Sequence, residues 1–158
     1  MGRIVAVLNQ KGGVGKTTVT LGLASAAQAA GQRVLVVDLD PQGSSTWVLG
    51  TDPRAVEQSL AEVMGRVPAS AAIVPTDWGD DVWLLPSSPR LLGRDHGGNP
   101  TRLRAALADV AEQFTAILID CPPSLGALTT AGLTAADHAL IVVEPSELSL
   151  RGVAAVAD

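Results

Sequence analysis

A glycine-rich stretch near the N-terminus, NQKGGVGKTTVT, limits how this chain can fold. It follows an apolar, β-branched run, RIVAVLN at residues 3–9, and leads into a segment from Thr17 to Ala30 that reads as a helix. Gly31 suits the end of that helix, because glycine readily adopts the left-handed conformation found at helix C-termini. A strand, a glycine loop and a helix in this order indicate the first unit of an α/β fold.

The rest of the chain alternates apolar runs with helical segments. Further strands are predicted over RVLVVDLD, AAIVP, DVWLLPSS, TAILIDCPPS and DHALIVVEPS, and further helices over RAVEQSLAEVMG, TRLRAALADVAEQF, LGALTTAGLTAA and from Glu147 onward. Gly65 would end the first of these helices, and Thr101 or Asn99 would cap the second. Unbroken apolar strands are typical of a parallel sheet covered on both faces. We therefore predict one domain, residues 1–158, with a doubly wound, mainly parallel α/β sheet.

The glycine loop carries groups that can bind phosphate. It approaches the pattern G-x-x-x-x-G-K-[ST], with Gln10 where the first glycine would stand. Its glycines let the backbone N–H groups turn inward around phosphate oxygens, and the following helix points its positive end at the same place. Lys16 can reach the β- and γ-phosphates, the Thr17 hydroxyl can ligate Mg²⁺, and Thr18 can add a hydroxyl at the α-phosphate. The loop therefore predicts nucleotide binding. The glycines concerned are Gly12, Gly13 and Gly15.

Both lysines of the chain, Lys11 and Lys16, lie in this loop, and all the other basic residues are arginines. A compact ammonium on a flexible stem does different work from a flat guanidinium. The presence of both lysines in one loop therefore indicates a function for each of them. Chance, or simple solvation of the loop's rim by Lys11, is the plainer alternative.

The spacing KGGVGKTT resembles the deviant Walker A motif of the ParA/MinD family of ATPases. Three later segments are similar to that family's other motifs and occur in the same order: VVDLDPQGS at 36–44, ILIDCPPSLG at 117–126 and EPSELSLRG at 144–152. The DLDPQG form is most like the ParA type, which segregates plasmids and chromosomes. The resemblance implies a P-loop NTPase fold, ATP and Mg²⁺ as cofactors, and a homodimer that forms with ATP and hydrolyses it as a switch.

The resemblance also implies roles for single residues. Lys11 would cross the dimer interface to the phosphates of the neighbouring subunit's ATP and neutralise charge there, as an arginine finger does. The catalytic residues would be Lys11, Lys16 and Asp40. The nucleotide would be bound by Lys11, Gly12, Gly13, Val14, Gly15, Lys16, Thr17 and Thr18. The metal would be held by Thr17, Asp38 and Asp120.

Three aspartates lie at the ends of predicted strands. Asp120 ends a buried strand, at the edge where ligands bind in open α/β sheets; a helix N-cap is the plainer alternative. Asp38 and Asp40 lie two apart on an extended chain, so they should face opposite ways and have different functions. By resemblance, Asp120 holds Mg²⁺ through water, Asp40 orients the attacking water, and Asp38 supports the metal site. A purely structural role is the alternative for Asp38 and Asp40.

The remaining candidates are weaker. His96 is expected to be exposed in a glycine-rich loop, and His138 to be structural. Cys121 is expected to be buried, with no base to activate it as a nucleophile. Three tryptophans fit packing or interface positions better than base stacking: Trp47, Trp78 and Trp83.

Composition argues against several classes of protein. The net charge of −5 disfavours nucleic-acid binding on bulk charge. No apolar run reaches the roughly 20 residues of a membrane-spanning helix, and no signal peptide is recognisable, so we expect a cytoplasmic protein. The ParA-type resemblance implies that it is bacterial and associates with the nucleoid. One cysteine is too few for the iron–sulfur cluster of nitrogenase-type iron proteins. The lack of tyrosine disfavours a bacterial tyrosine autokinase.

Other expectations concern partners and the C-terminal end. ParA-type proteins continue beyond this length with a surface that binds DNA without sequence preference, so we expect a C-terminally truncated chain whose DNA-binding parts are absent. A centromere-binding protein is the expected partner. The end, RGVAAVAD, is too short and too weakly apolar for a MinD-type membrane helix. Three alternatives stay open: a MinD-like or other positioning ATPase, an interaction module that binds nucleotide without hydrolysis, and a ligase of the same fold such as dethiobiotin synthetase, which the Lys11 form of the loop disfavours.

Overall fold

The computed structural model of the chain describes residues 2–94 and 98–143. His96, the EPSELSLRG segment and the helix expected from Glu147 lie outside the described residues. The described strands and helices are β1 (Arg3–Leu8), α1 (Lys16–Ala29), β2 (Val34–Asp38), α2 (Ser44–Val48), α3 (Leu60–Met64), β3 (Val74–Thr76), β4 (Gly79–Leu85), α4 (Thr101–Ala108), β5 (Ala116–Asp120), α5 (Ala127–Ala135) and β6 (His138–Ile141). Short 3₁₀ turns lie at Ala69–Ala71, Pro89–Arg94 and Ala111–Gln113.

The strands form one six-stranded sheet in the order β3-β4-β2-β5-β1-β6. Every neighbouring pair is parallel except β3 and β4, which are antiparallel. The central strands β2, β5 and β1 therefore end at the same edge of the sheet. In the register of β2 and β5, Asp38 lies directly beside Asp120. The predicted mainly parallel α/β sheet is confirmed.

Helices cover both faces of the sheet, as the unbroken apolar strands predict. Along β2, Val34 and Val36 pack in one apolar cluster with Leu21 of α1. The alternate residues Leu35 and Val37 pack in a second cluster, which contains the buried residues of α3, α4 and α5. Because successive side chains of a strand point to opposite faces, these two clusters lie on opposite sides of the sheet. Among the described residues, no helix is both long and apolar enough to span a bilayer.

The helix predicted over RAVEQSLAEVMG is wrong in its first half. Residues 52–56 form turns instead, with the Asp52 side chain accepting a hydrogen bond from Arg54 N at 2.8 Å. The helix α3 begins at Leu60, because Ser59 and Glu62 form a capping box. The Ser59 hydroxyl accepts a hydrogen bond from Ala61 N, and the Glu62 carboxylate accepts one from Ser59 N. A Ser-x-x-Glu pattern is a sequence signal for such a start.

Three other boundaries differ from the expectation. The long helix predicted over TRLRAALADVAEQF ends at Ala108, and Asn99 rather than Thr101 supplies the cap, since Asn99 Oδ1 accepts from Thr101 N at 3.0 Å. The strand predicted over AAIVP is shorter and displaced, at Val74–Thr76. The short helix α2 occupies residues for which no helix was predicted. Each of these segments is fixed by local hydrogen bonds or by an edge of the sheet, where hydrophobic periodicity is a weak signal.

Candidate functional site

The loop of residues 9–15 joins the end of β1 to the start of α1, at the edge where the central strands end. Gly13 has φ 76° and Gly15 has φ 92°, a left-handed conformation that favours glycine. A Cβ built at either residue would meet nothing within 4 Å. Backbone conformation, not crowding, therefore requires these two glycines, and the space in front of the loop is open.

Asn9 fixes the start of the loop. This residue is only 2% exposed, and its Oδ1 accepts a hydrogen bond from Lys11 N at 3.0 Å while its Nδ2 donates to Val142 O at 2.6 Å. It thus ties the loop to the chain that follows β6. Sequence reasoning missed Asn9; the available signal was a polar residue directly after a buried strand.

The two lysines of the loop occupy different places. Lys16, the first residue of α1, is buried, and its Nζ donates to Lys11 O at 3.2 Å, so its ammonium group lies over the loop. Lys11 lies on the exposed rim of the loop. The loop therefore presents one positive charge inward and one at its surface. The N-terminus of α1, with no acidic residue in its first turn, adds positive potential at the same place.

Asp120 connects the loop to the neighbouring strand. Its Oδ2 accepts hydrogen bonds from Thr17 Oγ1 at 2.7 Å and from Ser45 Oγ at 2.6 Å. Its Oδ1 is buried and has no hydrogen-bond partner in the described part of the chain. Burial raises the pKa of Asp120, and the hydrogen bonds from Ser45 and Thr17 oppose that shift. One acceptor oxygen is thus left for a donor or cation that the protein itself does not supply.

Asp38 is fully buried on the adjoining strand. Its Oδ2 accepts from Thr46 N at 2.8 Å and from Thr46 Oγ1 at 2.7 Å, and its Oδ1 accepts from Asp40 N at 3.2 Å. Burial raises the pKa of Asp38 to about 7, although the Thr46 hydrogen bonds lower it and the Asp120 charge adds to the rise. Because both oxygens already have protein partners, Asp38 positions Thr46 and the start of the Asp40 loop. Its support of a metal site stays a prediction.

Asp40 faces a different environment from Asp38, as the two-residue spacing predicts. It is half-buried and borders an open cleft of about 320 Å³ in front of the loop. Ser44 and Pro123 also border this cleft and were missed by sequence reasoning. The full lining is Gly12, Gly13, Gly15, Lys16, Thr17, Thr18, Asp40, Ser44 and Pro123. The fold therefore brings Asp40 together with the predicted phosphate-binding residues, while Asp38 lies behind the cleft.

The groups at this cleft suit a phosphate-bearing anion and a hard cation. Inward backbone N–H groups, a buried ammonium and a helix N-terminus bind anions. Thr17 Oγ1 and the unpartnered Asp120 Oδ1 are oxygen ligands of the kind that Mg²⁺ prefers. Within the described ranges, no group of three or more His, Cys, Asp or Glu side chains could hold a metal. A cation here would therefore take its other ligands from water and from the anion.

The weaker candidates lie away from the cleft. Cys121 is buried as expected, and burial raises the pKa of its thiol to about 12, so it stays protonated. Trp78 and Trp83 pack against the two apolar clusters, while Trp47 is 66% exposed on α2. His138 lies exposed on the strand β6.

Comparison with known proteins agrees with this geometry. The family model described as an AAA domain matches residues 2–158. The chain is 39% identical over 157 residues to the sporulation initiation inhibitor protein Soj of Bacillus subtilis, covering 96% of this chain and 62% of that protein. It is 41% identical over 154 residues to the chromosome-partitioning ATPase Soj of Thermus thermophilus, covering 96% of this chain and 59% of that protein.

The chain belongs to the ParA/MinD family of deviant Walker A ATPases. A crystal structure of a cobyrinic acid a,c-diamide synthase from Mycobacterium smegmatis, with bound ADP and magnesium, superposes with a TM-score of 0.92 at 44% identity. That match covers 99% of this ParA/MinD chain and 66% of the other. The chain spans about 60% of the length of the two Soj proteins.

Proposed function

We propose that this ParA/MinD protein is an ATPase switch that binds Mg·ATP, dimerises and hydrolyses ATP in plasmid or chromosome partitioning. The observation that carries the proposal is the Asp120 carboxylate, which is held by Thr17 and Ser45 with one buried oxygen left over. The other oxygen of the same carboxylate accepts a hydrogen bond from the hydroxyl of Thr17, which directly follows Lys16. Such an arrangement suits a nucleotide whose phosphates share a cation with the protein.

The bound nucleotide would lie in the cleft in front of the loop. The loop N–H groups and Lys16 would hold its phosphates, as the ADP and magnesium of the Mycobacterium smegmatis structure support. Magnesium, when bound through Thr17 and Asp120, would neutralise charge on the phosphates. Lys16 would leave its contact with Lys11 O to reach the phosphate oxygens, since a phosphate competes better than a neutral carbonyl for an ammonium.

Hydrolysis would use residues at the two sides of the cleft. Asp40 would orient the attacking water from within the same subunit. Its position is set by hydrogen bonds from its own N to Asp38 and from Ser87 Oγ to its carbonyl oxygen. Lys11, on the exposed rim, would reach the phosphates of a second subunit and complete that subunit's site.

The name of the Thermus thermophilus relative, chromosome-partitioning ATPase Soj, supports a role in partitioning. We propose a centromere-binding protein as the partner that stimulates hydrolysis. Nonspecific DNA would be bound by parts of the protein beyond these 158 residues. The proposed place of action is the bacterial cytoplasm at the nucleoid.

The Mycobacterium smegmatis structure favours one second candidate, an amide-forming ligase that uses ATP to activate a carboxylate. The two candidates differ in what ATP hydrolysis requires. A partition switch hydrolyses ATP with no acid substrate present and is stimulated by DNA and a partner protein. A ligase forms ADP only together with cobyrinic acid and an amine donor, so phosphate release by the full-length protein under both conditions separates them.

Lys16→Ala should abolish Mg·ATP binding, because the phosphates lose the one ammonium that lies inside the loop. Isothermal titration calorimetry measures the affinity. Lys11→Ala is the matched control: it removes an ammonium from the same loop, but the variant should still bind Mg·ATP and lose hydrolysis instead. Wild-type affinity in the Lys16→Ala protein would overturn the assignment of the cleft.

Duplex DNA should bind poorly to residues 1–158 at physiological salt. The chain carries a net charge of −5, whereas nonspecific binding depends on neutralising several phosphates with basic side chains. Fluorescence anisotropy with a labelled duplex, with and without ATP, measures this binding. Tight binding that depends on ATP and weakens with salt would show that residues 1–158 themselves contain a DNA-binding surface.

A further inference from the structure

A second cavity of about 330 Å³ lies between the end of α3 and the start of α4. Three arginines border it, Arg66, Arg94 and Arg102, together with Gly65 and Asn99. We call it the arginine pocket. None of the residues that line the pocket borders the cleft in front of the glycine loop. In a chain with a net charge of −5, it is a local concentration of positive charge.

Within the part of the chain that the structure describes, no carboxylate pairs with the arginines of the pocket. Two neighbouring arginines are paired: Arg90 Nε, in the same 3₁₀ turn as Arg94, lies 2.8 Å from Glu62 Oε1, and Arg104 Nη2 of α4 lies 3.6 Å from Asp137 Oδ1. Over residues 2–94 and 98–143, the three pocket arginines form no ion pair and no side-chain hydrogen bond. The Nε of Arg102 is moreover buried, and no described residue supplies an acceptor for it. A buried N–H without a partner is unfavourable, so the arrangement suits a ligand that supplies acceptors.

The backbone at Arg66 is also unfavourable for the residue it carries. The helix α3 ends in a Schellman motif, in which Val67 N donates to Glu62 O at 3.0 Å and Arg66 N donates to Val63 O at 3.1 Å. This motif needs a left-handed residue at the position of Arg66, where glycine is preferred. Arg66 nevertheless adopts φ 103°, and it is the one non-glycine residue with positive φ in the described ranges.

The glycine stands one position earlier, at the edge of the pocket. Gly65 has φ −89°, so its backbone does not require glycine. A Cβ built on Gly65 would lie 2.7 Å from Nη2 of Arg94. The missing side chain thus makes room for a guanidinium, while the position that needs a glycine carries an arginine. Arg66 thus occupies a backbone position that favours glycine, and Gly65 leaves space for the guanidinium of Arg94. Both choices place guanidinium groups at the pocket.

We infer that the arginine pocket binds the phosphate groups of a small anionic ligand, such as a diphosphate or a phosphomonoester, separately from the nucleotide cleft. Guanidinium forks match phosphate oxygens in geometry and donate two hydrogen bonds at once. A concave pocket of this volume suits a compact anion, and the negative charge of the chain disfavours an extended polyanion. The inference does not depend on the proposed ATPase function.

The test is calorimetric titration with inorganic pyrophosphate. Because the glycine loop can also bind pyrophosphate, the titration is made in the wild-type protein and in the Lys16→Ala background. Arg102→Gln should weaken the binding that persists in Lys16→Ala by at least about tenfold, since it removes charge-assisted hydrogen bonds. Arg104→Gln is the matched control on the same helix, outside the pocket, and should leave that binding unchanged. If the loop binds no phosphate, Lys16→Ala alone has no effect, and the arginine result still stands.

Arg66→Gly separates a binding role from a structural one. Glycine suits the left-handed position, so the urea midpoint of unfolding should stay the same or rise while pyrophosphate binding weakens. Loss of stability together with loss of binding would overturn the inference, as would equal weakening by Arg104→Gln or no saturable binding in the Lys16→Ala background. Binding of duplex DNA or polyglutamate that depends on Arg102, without pyrophosphate binding, would also overturn it, in favour of a surface for a polyanion.

Discussion

Three hydroxyl groups donate hydrogen bonds to the two buried carboxylates at the centre of this protein. Thr17 and Ser45 donate to Asp120, and Thr46 donates to Asp38, which lies beside Asp120 in the sheet. Two carboxylates buried side by side repel each other, and each is poorly solvated. The hydroxyls compensate both in part, but they leave one oxygen of Asp120 without a donor. The site is therefore arranged to gain stability from a cation.

Asp38→Asn should stabilise the ligand-free protein increasingly as the pH rises from about 4 to about 7. Burial raises the pKa of Asp38 to about 7, so the folded protein holds a proton that the unfolded chain, with an ordinary aspartate pKa, releases. Because the folded state binds more protons in this window, stability falls as the pH rises, and asparagine removes that part of the fall. Urea unfolding at pH 5 and pH 8, in EDTA, measures the difference.

The comparison is valid only where both proteins unfold with the same m-value, since a changed m-value reports a changed unfolded or folded state. Asp38 and Asp120 lie side by side and titrate as a coupled pair, so the difference between the two proteins reports the proton uptake of that pair. A difference in unfolding free energy that is equal at the two pH values would show that Asp38 is ionised throughout this range.

Much of this site could be predicted from sequence, because most of its residues belong to short continuous motifs. The loop glycines, Lys16 and Thr17 follow one another along the chain, and Asp120 ends a recognisable strand. Asn9 and Ser45 were missed because their partners are distant in sequence: Ser45 bonds to a residue 75 positions away, and Asn9 to one 133 positions away. Thr46 was missed although its partner Asp38 is only 8 positions away, because the sequence does not show that the chain turns back onto the end of β2 there. A hydroxyl or amide in a loop gives no sign of such a contact before the sheet order is known.

Among the elements, the strands of the sheet centre were predicted well and the peripheral ones poorly. β1, β2 and β5 are continuous apolar runs buried on both faces, so their pattern is unambiguous. The edge strand β3 has three residues and pairs antiparallel with β4, which no periodicity indicates. The start of α3 is set by a capping box and its end by a left-handed arginine, both of which override the helical pattern of the flanking residues.

Within α1, Gly22→Ala should stabilise the protein by about 0.5–1 kcal/mol, the usual difference between alanine and glycine inside a helix. Gly22 lies in the middle of α1, and a Cβ built there meets nothing within 4 Å. The loss of chain entropy on folding is therefore reduced without a clash. The measurement is the free energy of unfolding in urea.

Gly132→Ala in α5 is the matched control for that substitution. Its Cβ would lie 3.0 Å from Cys121 Sγ and 3.0 Å from Leu39 Cδ2, so buried neighbours would have to move. The same helical gain should be cancelled or reversed there. Equal stabilisation by both substitutions would mean that the core around Gly132 has room that the packing does not show.

At the scale of the whole molecule, strand order explains how separate segments form one site. The sheet order β4-β2-β5-β1 places the ends of β2, β5 and β1 side by side, so the Asp40 loop, Asp120 and the glycine loop meet although they are far apart in sequence. Lys11 lies exposed on the rim of the glycine loop, next in the chain to Gly12, which lines the cleft. We propose that a second subunit binds on that side, so that Lys11 reaches the phosphates bound by the partner and not those bound by its own loop.

Mixed dimers of full-length Lys11→Ala and Asp40→Ala proteins test whether Lys11 acts on the partner's ATP while Asp40 acts within its own subunit. Each variant alone should hydrolyse ATP very slowly, because each of its dimers lacks a required group at both sites. In a mixed dimer, the site of the Lys11→Ala subunit keeps its own Asp40 and receives Lys11 from its partner, while the other site lacks both groups. With random pairing about half of the dimers are mixed, so activity should recover to roughly a quarter of wild type, given that residues acting as a unit fail as a unit.

The measurement is the rate of phosphate release, with the content of mixed dimers determined in the same sample, for example by pulling down one of two differently tagged variants. Weak dimerisation of the Lys11→Ala subunit lowers the recovery in proportion to the missing mixed dimers, so activity is expressed per mixed dimer. If Lys11 instead acts on the phosphates bound by its own loop, every site in every mixed dimer lacks either Lys11 or Asp40. Mixing would then restore nothing, and confirmed mixed dimers without activity would refute the action of Lys11 between subunits.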